Sequence, residues 1–238
     1  MNKKTIYILI TILSILLIVG IILIAFSIGN SNVKYKEKVV YKEAKVKTAN
    51  DINKYENIVF LGDSITDFYP IDDIFVDLSI INSGVSGYKT QDILDNMNDM
   101  VYKYNPTSVY LLIGTNDLLG DDEDEVENVK EKTKEIVDEI HKNRKKTNIY
   151  IESIYPINRR LNLSSVKERY NEEIMEVNDY LKEYCEEKSY LTYIDVYKYL
   201  IDGDGNFSKI YTEDGLHPNE LGYARISQVL LPYIYNIN

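Results

Sequence analysis

Four short polar motifs stand out in the sequence, and the first three directly follow apolar, strand-like runs. They are Gly62-Asp63-Ser64, Asn82-Ser83-Gly84, Gly114-Thr115-Asn116-Asp117 and, near the carboxyl end, Asp214-Gly215-Leu216-His217-Pro218. In an open parallel α/β sheet, ligands bind outside the carboxyl ends of the strands, so residues at successive strand ends can converge on one crevice. A serine, a histidine, an aspartate and amide donors would meet there. This set of groups fits acyl transfer through a serine nucleophile.

Each of these residues has a possible part in that chemistry. Ser64 could attack a carbonyl carbon, His217 could take its proton, and Asp214 could fix the imidazole tautomer. The backbone N–H groups of Ser64 and Gly84 and the side-chain amide of Asn116 could stabilise an oxyanion. Taken singly, a serine after a strand often only caps the next helix, and Gly84 and Asn116 could be ordinary turn residues. The four motifs together favour the catalytic interpretation.

The order and content of the four motifs resemble the sequence blocks of the SGNH (GDSL) hydrolase family, the GDSL-like lipases and acylhydrolases. The resemblance covers roughly Asn57–Leu231 and rests on GDSIT, the glycine of NSGVSG, GTND and DGLHP. It implies a flavodoxin-like fold, no metal or organic cofactor, and an esterase, lipase, thioesterase, carbohydrate O-acetylesterase or acyltransferase activity. The site residues that it implies are the nucleophile Ser64, the base His217 with its partner Asp214, and oxyanion donors at Ser64, Gly84 and Asn116.

Apolar runs that alternate with helical patterns predict a three-layer α/β/α sandwich around a five-stranded parallel sheet. The runs typical of buried strands are Asn57–Leu61, Leu78–Ile81, Val109–Ile113, Ile149–Ile154 and Leu191–Val196. The predicted helices are about Thr90–Lys103, Asp122–Asn143, Ser164–Lys188 and Asn219 to about Tyr233. This arrangement agrees with the flavodoxin-like fold that the resemblance implies.

An uncharged run rich in Ile and Leu precedes the predicted domain. Thr5–Ile28 has 24 residues, which as a helix would extend roughly 36 Å and could span a hydrocarbon core of about 30 Å. A cleaved signal peptide is the competing interpretation, but its apolar region is usually about 7–15 residues, and SIGNSN offers no typical cleavage site. We therefore expect a transmembrane anchor over residues 1–29, a juxtamembrane stalk over 30–55 and a hydrolase domain over 56–238, outside the cytoplasm.

Net charge, the single cysteine and one incomplete calcium-loop pattern limit the partners and cofactors that the sequence predicts. A net charge of −11 disfavours nucleic acid as a partner. The single cysteine, Cys185, excludes an intramolecular disulfide and has no neighbouring cation to activate it. A calcium-loop pattern lacks its turn glycine, because Phe207 stands at that position, so a simple turn is the better interpretation. The residues that match the pattern are Asp202, Asp204, Asn206 and Glu213.

The sequence therefore predicts a membrane-anchored serine esterase that removes a short acyl group, with O-acetyl as the leading candidate, from an envelope carbohydrate or a small ester. Lysophospholipase or lipase action is an alternative, and a chain-length series of esters would separate it from acetylesterase action. An O-acyltransferase would transfer the acyl group to an added sugar faster than to water. A carbohydrate-binding module on the same fold would hydrolyse nothing.

Overall fold

Five parallel strands form one sheet in the computed structural model of the protein. The structure describes residues 57–76, 78–119, 124–161 and 163–235. The strands are β1 (Ile58–Gly62), β2 (Ile80–Gly84), β3 (Ser108–Leu112), β4 (Asn148–Glu152) and β5 (Leu191–Ile194). Their order across the sheet is β2-β1-β3-β4-β5, with every neighbouring pair parallel. This is the flavodoxin-like order, and its chain reversal lies between β1 and β3.

Helices cover both faces of the sheet. They are α1 (Ser64–Asp67), α2 (Ile71–Ile74), α3 (Thr90–Asp95), α4 (Met97–Met100), α5 (Glu125–Asn143), α6 (Asn171–Glu186) and α7 (Glu220–Ile234). Successive side chains of a strand point to opposite faces, so Val59 and Leu61 pack with α3 to α6 in one core. Ile58 and Phe60 pack with α1, α2 and α7 in the other core. The predicted three-layer α/β/α sandwich is confirmed.

Strand β2 begins and ends later than predicted. The sequence predicts Leu78–Ile81, whereas the strand covers Ile80–Gly84 and pairs residue by residue with β1. β2 pairs only with β1 and is partly exposed, so it carries polar residues that apolar patterning does not recognise as strand. As a result, the whole Asn82-Ser83-Gly84 motif lies inside the strand end and not in the loop after it.

Two predicted helices are shorter than expected. The pattern over Thr90–Lys103 breaks at Asn96, whose side-chain amide donates to the Asp92 carbonyl at 2.8 Å and competes with the helical backbone bonds. A second short helix, α4, and a 3₁₀ turn then follow. The pattern over Ser164–Lys188 begins as a 3₁₀ turn, and the α-helix proper starts only at Asn171. The residues between them contact the functional site instead.

The predicted membrane anchor and stalk lie outside the described residues. Among the helices that the structure describes, none combines the length and the apolar character that a bilayer crossing requires.

Candidate active site

The hydroxyl of Ser64 lies at the carboxyl end of β1, in the first turn of α1. Asp63 precedes it and caps the helix, because its Oδ1 accepts the Ile65 N–H at 2.9 Å. Ser64 itself is nearly buried. The first N–H groups of a helix have no acceptor within the helix, and the Ser64 N–H makes no hydrogen bond to the other described residues.

His217 reaches Ser64 from the far end of the sequence. The Ser64 Oγ lies 3.0 Å from His217 Nε2, and His217 Nδ1 lies 2.7 Å from Asp214 Oδ2. The other carboxylate oxygen, Oδ1, accepts the backbone N–H groups of Leu216 at 2.9 Å and His217 at 2.7 Å. Thr212 Oγ1 closes the loop by donating to the His217 carbonyl at 2.8 Å. The structure thus brings together the serine, histidine and aspartate that the sequence singled out.

The electrostatics of Asp214 decide the tautomer of His217. Burial alone would raise the pKa of Asp214, but the His217 imidazole and the N–H groups of Leu216 and His217 hold it below its ordinary value. Asp214 is therefore an ionised acceptor at neutral pH, and the hydrogen between the two side chains belongs to His217 Nδ1. In the neutral imidazole Nε2 is then unprotonated and faces the Ser64 hydroxyl as a base.

Asp63 is a second carboxyl group beside this site. It is fully buried, its Oδ2 has no hydrogen-bond partner, and burial raises its pKa to about 7. The Ile65 N–H and the nearby His217 and Arg169 partly oppose that rise. Its visible role is to cap α1 and so to fix the position of Ser64.

Asn116 follows β3 and is nearly buried beside the same strand ends. One hydrogen of its Nδ2 goes to the Tyr88 carbonyl at 3.0 Å, and its Oδ1 accepts from Arg169 Nη2 at 3.0 Å. The other Nδ2 hydrogen has no acceptor among the residues that the structure describes. Asp117 holds the loop, because its carboxylate accepts the N–H and the hydroxyl of Thr90.

The N–H groups at the end of β2 and in the loop after it are arranged differently from the prediction. The Gly84 N–H already donates to Asn82 Oδ1 at 3.0 Å, so it can serve an oxyanion only if this bond is shared or broken. Three residues later, Gly87 has φ +82° and open space where a Cβ would stand. Its N–H makes no hydrogen bond within the described residues. Gly87 is therefore a further candidate donor in this loop, and it has no distinguishing signal in the sequence.

Comparison with known proteins shows which family the chain belongs to. Residues 60–225 match the model of the GDSL-like lipase/acylhydrolase family. The chain belongs to this family. It is accordingly an ester-hydrolysing enzyme of the serine hydrolase type, as the sequence predicted.

Two solved structures share the fold, and a further relative matches in sequence. A solved structure from Streptococcus pneumoniae, provisionally named a platelet activating factor, is 30% identical, with a TM-score of 0.71 over 86% of this chain and 95% of that one. An acetylxylan esterase from Geobacillus stearothermophilus is 19% identical, with a TM-score of 0.59 over 77% and 95% of the two chains. An N-acylneuraminate cytidylyltransferase from Escherichia coli is 27% identical over 177 residues, 74% of this chain. The match spans 39% of that longer protein.

An exposed aromatic ring lies beside the triad of this GDSL-like hydrolase. The Phe68 ring is 54% exposed, and its centroid lies 5.3 Å from that of His217. A cavity of about 590 Å³ lies elsewhere, between β5 and α7, and shares no residue with the triad. The triad hydrogen bonds, and not cavity size, locate the candidate site.

Residues that sequence analysis set aside have structural roles. Cys185 is buried, and burial raises the pKa of its thiol to about 12. The calcium-loop pattern forms a turn in which Asp202 Oδ1 accepts the N–H groups of Asp204 and Asn206. Across the described ranges, no three His, Cys, Asp or Glu side chains cluster in a way that could hold a metal ion.

Proposed function

We propose that this protein is a serine esterase that removes a short acyl group, with O-acetyl as the leading candidate, from a carbohydrate or a small ester. The observation that carries the proposal is the continuous hydrogen-bond chain from Ser64 Oγ through His217 to Asp214. This chain supplies a nucleophile, a base and a group that orients the base.

Acylation would begin at Ser64. Its Oγ forms a bond to the carbonyl carbon while its proton passes to His217 Nε2, and the developing oxyanion accepts hydrogen bonds from the Ser64 N–H and the Asn116 amide. The tetrahedral intermediate then collapses, and the ester C–O bond breaks. The imidazolium gives its proton to the departing alkoxide, so an alcohol leaves and an acyl group remains on Ser64.

Deacylation would use the same groups with water in place of the alcohol. His217 Nε2 takes a proton from the water as its oxygen attacks the acyl carbon. Collapse of the second intermediate breaks the bond to Oγ and returns the proton to Ser64. The carboxylic acid then leaves, and the ionised Asp214 stabilises the imidazolium in both halves of the cycle.

The choice of a carbohydrate substrate is supported by the names of two relatives, of which the first also acts on an ester. One is named an acetylxylan esterase, and the other is named for a reaction of N-acylneuraminate, an acylated sugar acid. The exposed Phe68 ring beside His217 also fits a sugar alcohol that stacks on the ring.

The proposed location rests on the uncharged run Thr5–Ile28. A retained anchor with the domain outside the cytoplasm would put the enzyme at envelope polysaccharides. Protease added to intact cells should then remove the domain, and complete protection would contradict this location. The same proximity to the bilayer favours lysophospholipase action as the second candidate.

A series of p-nitrophenyl esters tests the proposed reaction. We expect the full chain in detergent to hydrolyse the acetate fastest, with kcat/KM falling through butyrate and octanoate. Ser64→Ala and His217→Ala should each lower kcat by about 10⁴-fold or more, because they remove the nucleophile or the base. A maximum at octanoate would favour lipase action, and transfer to an added sugar in excess of hydrolysis would favour an acyltransferase. Full activity in both variants would refute the serine mechanism.

A further inference from the structure

Arg169 is a buried cation directly behind Asn116. It lies between the Ser164–Val166 turn and α6 and is 4% exposed. Its guanidinium donates from Nε to the Thr115 carbonyl at 2.9 Å, from Nη2 to Asn116 Oδ1 at 3.0 Å, and from Nη1 to the Ser165 carbonyl. Burying a charge is costly unless it is fully hydrogen-bonded, so these three acceptors account for its presence.

The guanidinium fixes which way the Asn116 amide faces. Arginine has donors and no acceptor, so the atom of Asn116 that meets it must be the oxygen Oδ1. Nδ2 is then on the opposite side, where one of its hydrogens is used by the Tyr88 carbonyl. The remaining hydrogen has a defined direction before any ester binds. A preorganised donor stabilises an oxyanion better than one that must reorient.

The positive charge also makes the amide a stronger donor. A charge-assisted hydrogen bond to the amide oxygen draws electron density from the nitrogen, and linked hydrogen bonds strengthen one another. Burial lowers the pKa of Arg169, while the carboxyl groups of Asp63 and Asp214 oppose this. The guanidinium still carries its charge at neutral pH.

Arg169 also links the two halves of the site. Ser165, whose carbonyl accepts from Arg169, donates its own Oγ to the Asp214 carbonyl at 2.9 Å. Three hydrogen bonds in sequence, from Arg169 to Asn116, from Arg169 to Ser165 and from Ser165 to Asp214, therefore connect the loop that carries the oxyanion donor with the loop that carries the acid and the base. A change at Arg169 reaches both loops through these bonds.

We propose that Arg169 is a positioning residue that orients and polarises the Asn116 amide, so that the amide is ready for the oxyanion. This inference rests on the proposed esterase function. Arg169 is buried and its guanidinium bonds only protein groups among the described residues, so we expect it to act on the transition state through Asn116 and not by contact with the substrate. Its loss should therefore lower kcat and leave KM nearly unchanged.

A double-mutant cycle with Asn116 separates this role from a merely structural one. We expect Arg169→Met to lower kcat for p-nitrophenyl acetate by about 10- to 100-fold, and Asn116→Ala by about 10²- to 10³-fold. If Arg169 acts through Asn116, the double variant should be no slower than Asn116→Ala alone. Losses that multiply, or a loss confined to KM, would overturn the proposal.

Arg169→Lys and a neighbouring arginine serve as further variants. Lysine keeps the charge but cannot form the planar fork to Thr115 and Asn116, so we expect a folded protein with a partial loss of kcat. A wild-type kcat in Arg169→Lys would contradict the claim that the planar guanidinium is needed to hold Thr115 and Asn116. Arg159→Met is the matched control, because the exposed Arg159 bonds the Lys167 carbonyl and stacks on Tyr170 without touching the site. It should keep wild-type kcat.

A measurement without turnover keeps the two proposals separate. In ¹⁵N-labelled protein the Asn116 side-chain amide, identified by its absence in Asn116→Ala, should give two well-separated proton signals that exchange slowly. In Arg169→Lys these signals should move and exchange faster, whereas Arg159→Met should leave them unchanged. An unchanged amide in Arg169→Lys would refute the positioning role. A wild type that hydrolyses no ester would refute the function while this test still decides the role of Arg169.

Discussion

Phe68 presents an exposed aromatic ring beside the imidazole of His217, with 5.3 Å between the ring centroids. The proposed mechanism makes His217 Nε2 the donor to the departing alkoxide, so the alcohol portion of the ester must lie within hydrogen-bond distance of that atom. Phe68 is therefore placed to contact the alcohol portion. This single side chain connects the geometry of the triad with substrate preference.

Phe68→Ala should lower kcat/KM for acetate esters of aromatic or sugar alcohols more than for ethyl acetate. A stacked contact contributes roughly 0.5–1.5 kcal/mol, which corresponds to about a 2- to 10-fold loss. The loss should not depend on acyl chain length. Met175→Ala, at an exposed position on α6, is the control. It should change kcat/KM neither when the alcohol is varied nor when the acyl chain length is varied. An effect that grows with acyl length would instead put Phe68 on the acyl side.

The residues of the candidate site differ in how far the sequence could predict them. Ser64, Asp214 and His217 stand in short motifs whose chemistry is specific, and the structure brings them together. Arg169 is one of 27 Lys and Arg residues and continues an apparently ordinary helical pattern. Its burial depends on the folded loops around it, so no local signal could have identified it.

At the level of elements, the close approach of β2 to α1 positions the nucleophile. Gly84 lies at the end of β2, and a Cβ built there would stand 2.2 Å from the Asp67 nitrogen and 2.6 Å from the Thr66 carbonyl carbon. Both contacts are with the backbone of the short helix that begins at Ser64. Glycine at this position allows the strand and the helix to pack without displacing Ser64.

Gly84→Ala should therefore reduce stability and activity together. Overpacking of this kind typically costs about 1–3 kcal/mol, which for a protein of this size corresponds to a fall in Tm of about 2–12 °C. Gly203→Ala is the matched control, because a Cβ there meets nothing within 4 Å. Thermal unfolding of both variants tests this, and equal Tm values would contradict the packing argument.

The sequence predicts most accurately those elements whose residues are buried along their whole length. The central strands β1 and β3 are buried along nearly their whole length and appear as continuous apolar runs, so their positions were predicted within one residue. The edge strand β2 and the segment from Ser164 to Asn171 were not, because side-chain and backbone contacts with distant loops determine them. Asn171, for example, accepts the Ile157 N–H at 2.9 Å and so begins α6 late.

For the molecule as a whole, two buried carboxyl groups make stability depend on pH. Burial raises the pKa of both Asp63 and Glu152 to about 7, and Glu152 also accepts the Tyr155 hydroxyl at 2.5 Å. A carboxyl group with a raised pKa binds its proton more tightly in the folded protein. Its protonation therefore favours folding at low pH, and that contribution is lost as the pH rises from about 4 through about 7.

Glu152→Gln should remove the part of the pH dependence of stability that comes from Glu152. The neutral amide carries no charge to bury, so the variant should be more stable than the wild type above about pH 7, by up to about 3 kcal/mol. At about pH 4 the two should be nearly equal, since Glu152 is then protonated in both states. Thermal unfolding at both pH values, beside the exposed Glu135→Gln, provides the measurement. If the difference in Tm between Glu152→Gln and the wild type were the same at both pH values, the raised pKa of Glu152 would be contradicted.

The most direct test of the central claim is to detect the acyl-enzyme on Ser64. The full chain would be mixed with p-nitrophenyl acetate and quenched in acid during turnover, and its peptides analysed by mass spectrometry. We predict an added acetyl group, about 42 Da, on the peptide that contains Ser64, and its absence in Ser64→Ala. Turnover with an unmodified Ser64, or an acetyl group at another residue that turnover requires, would contradict the account.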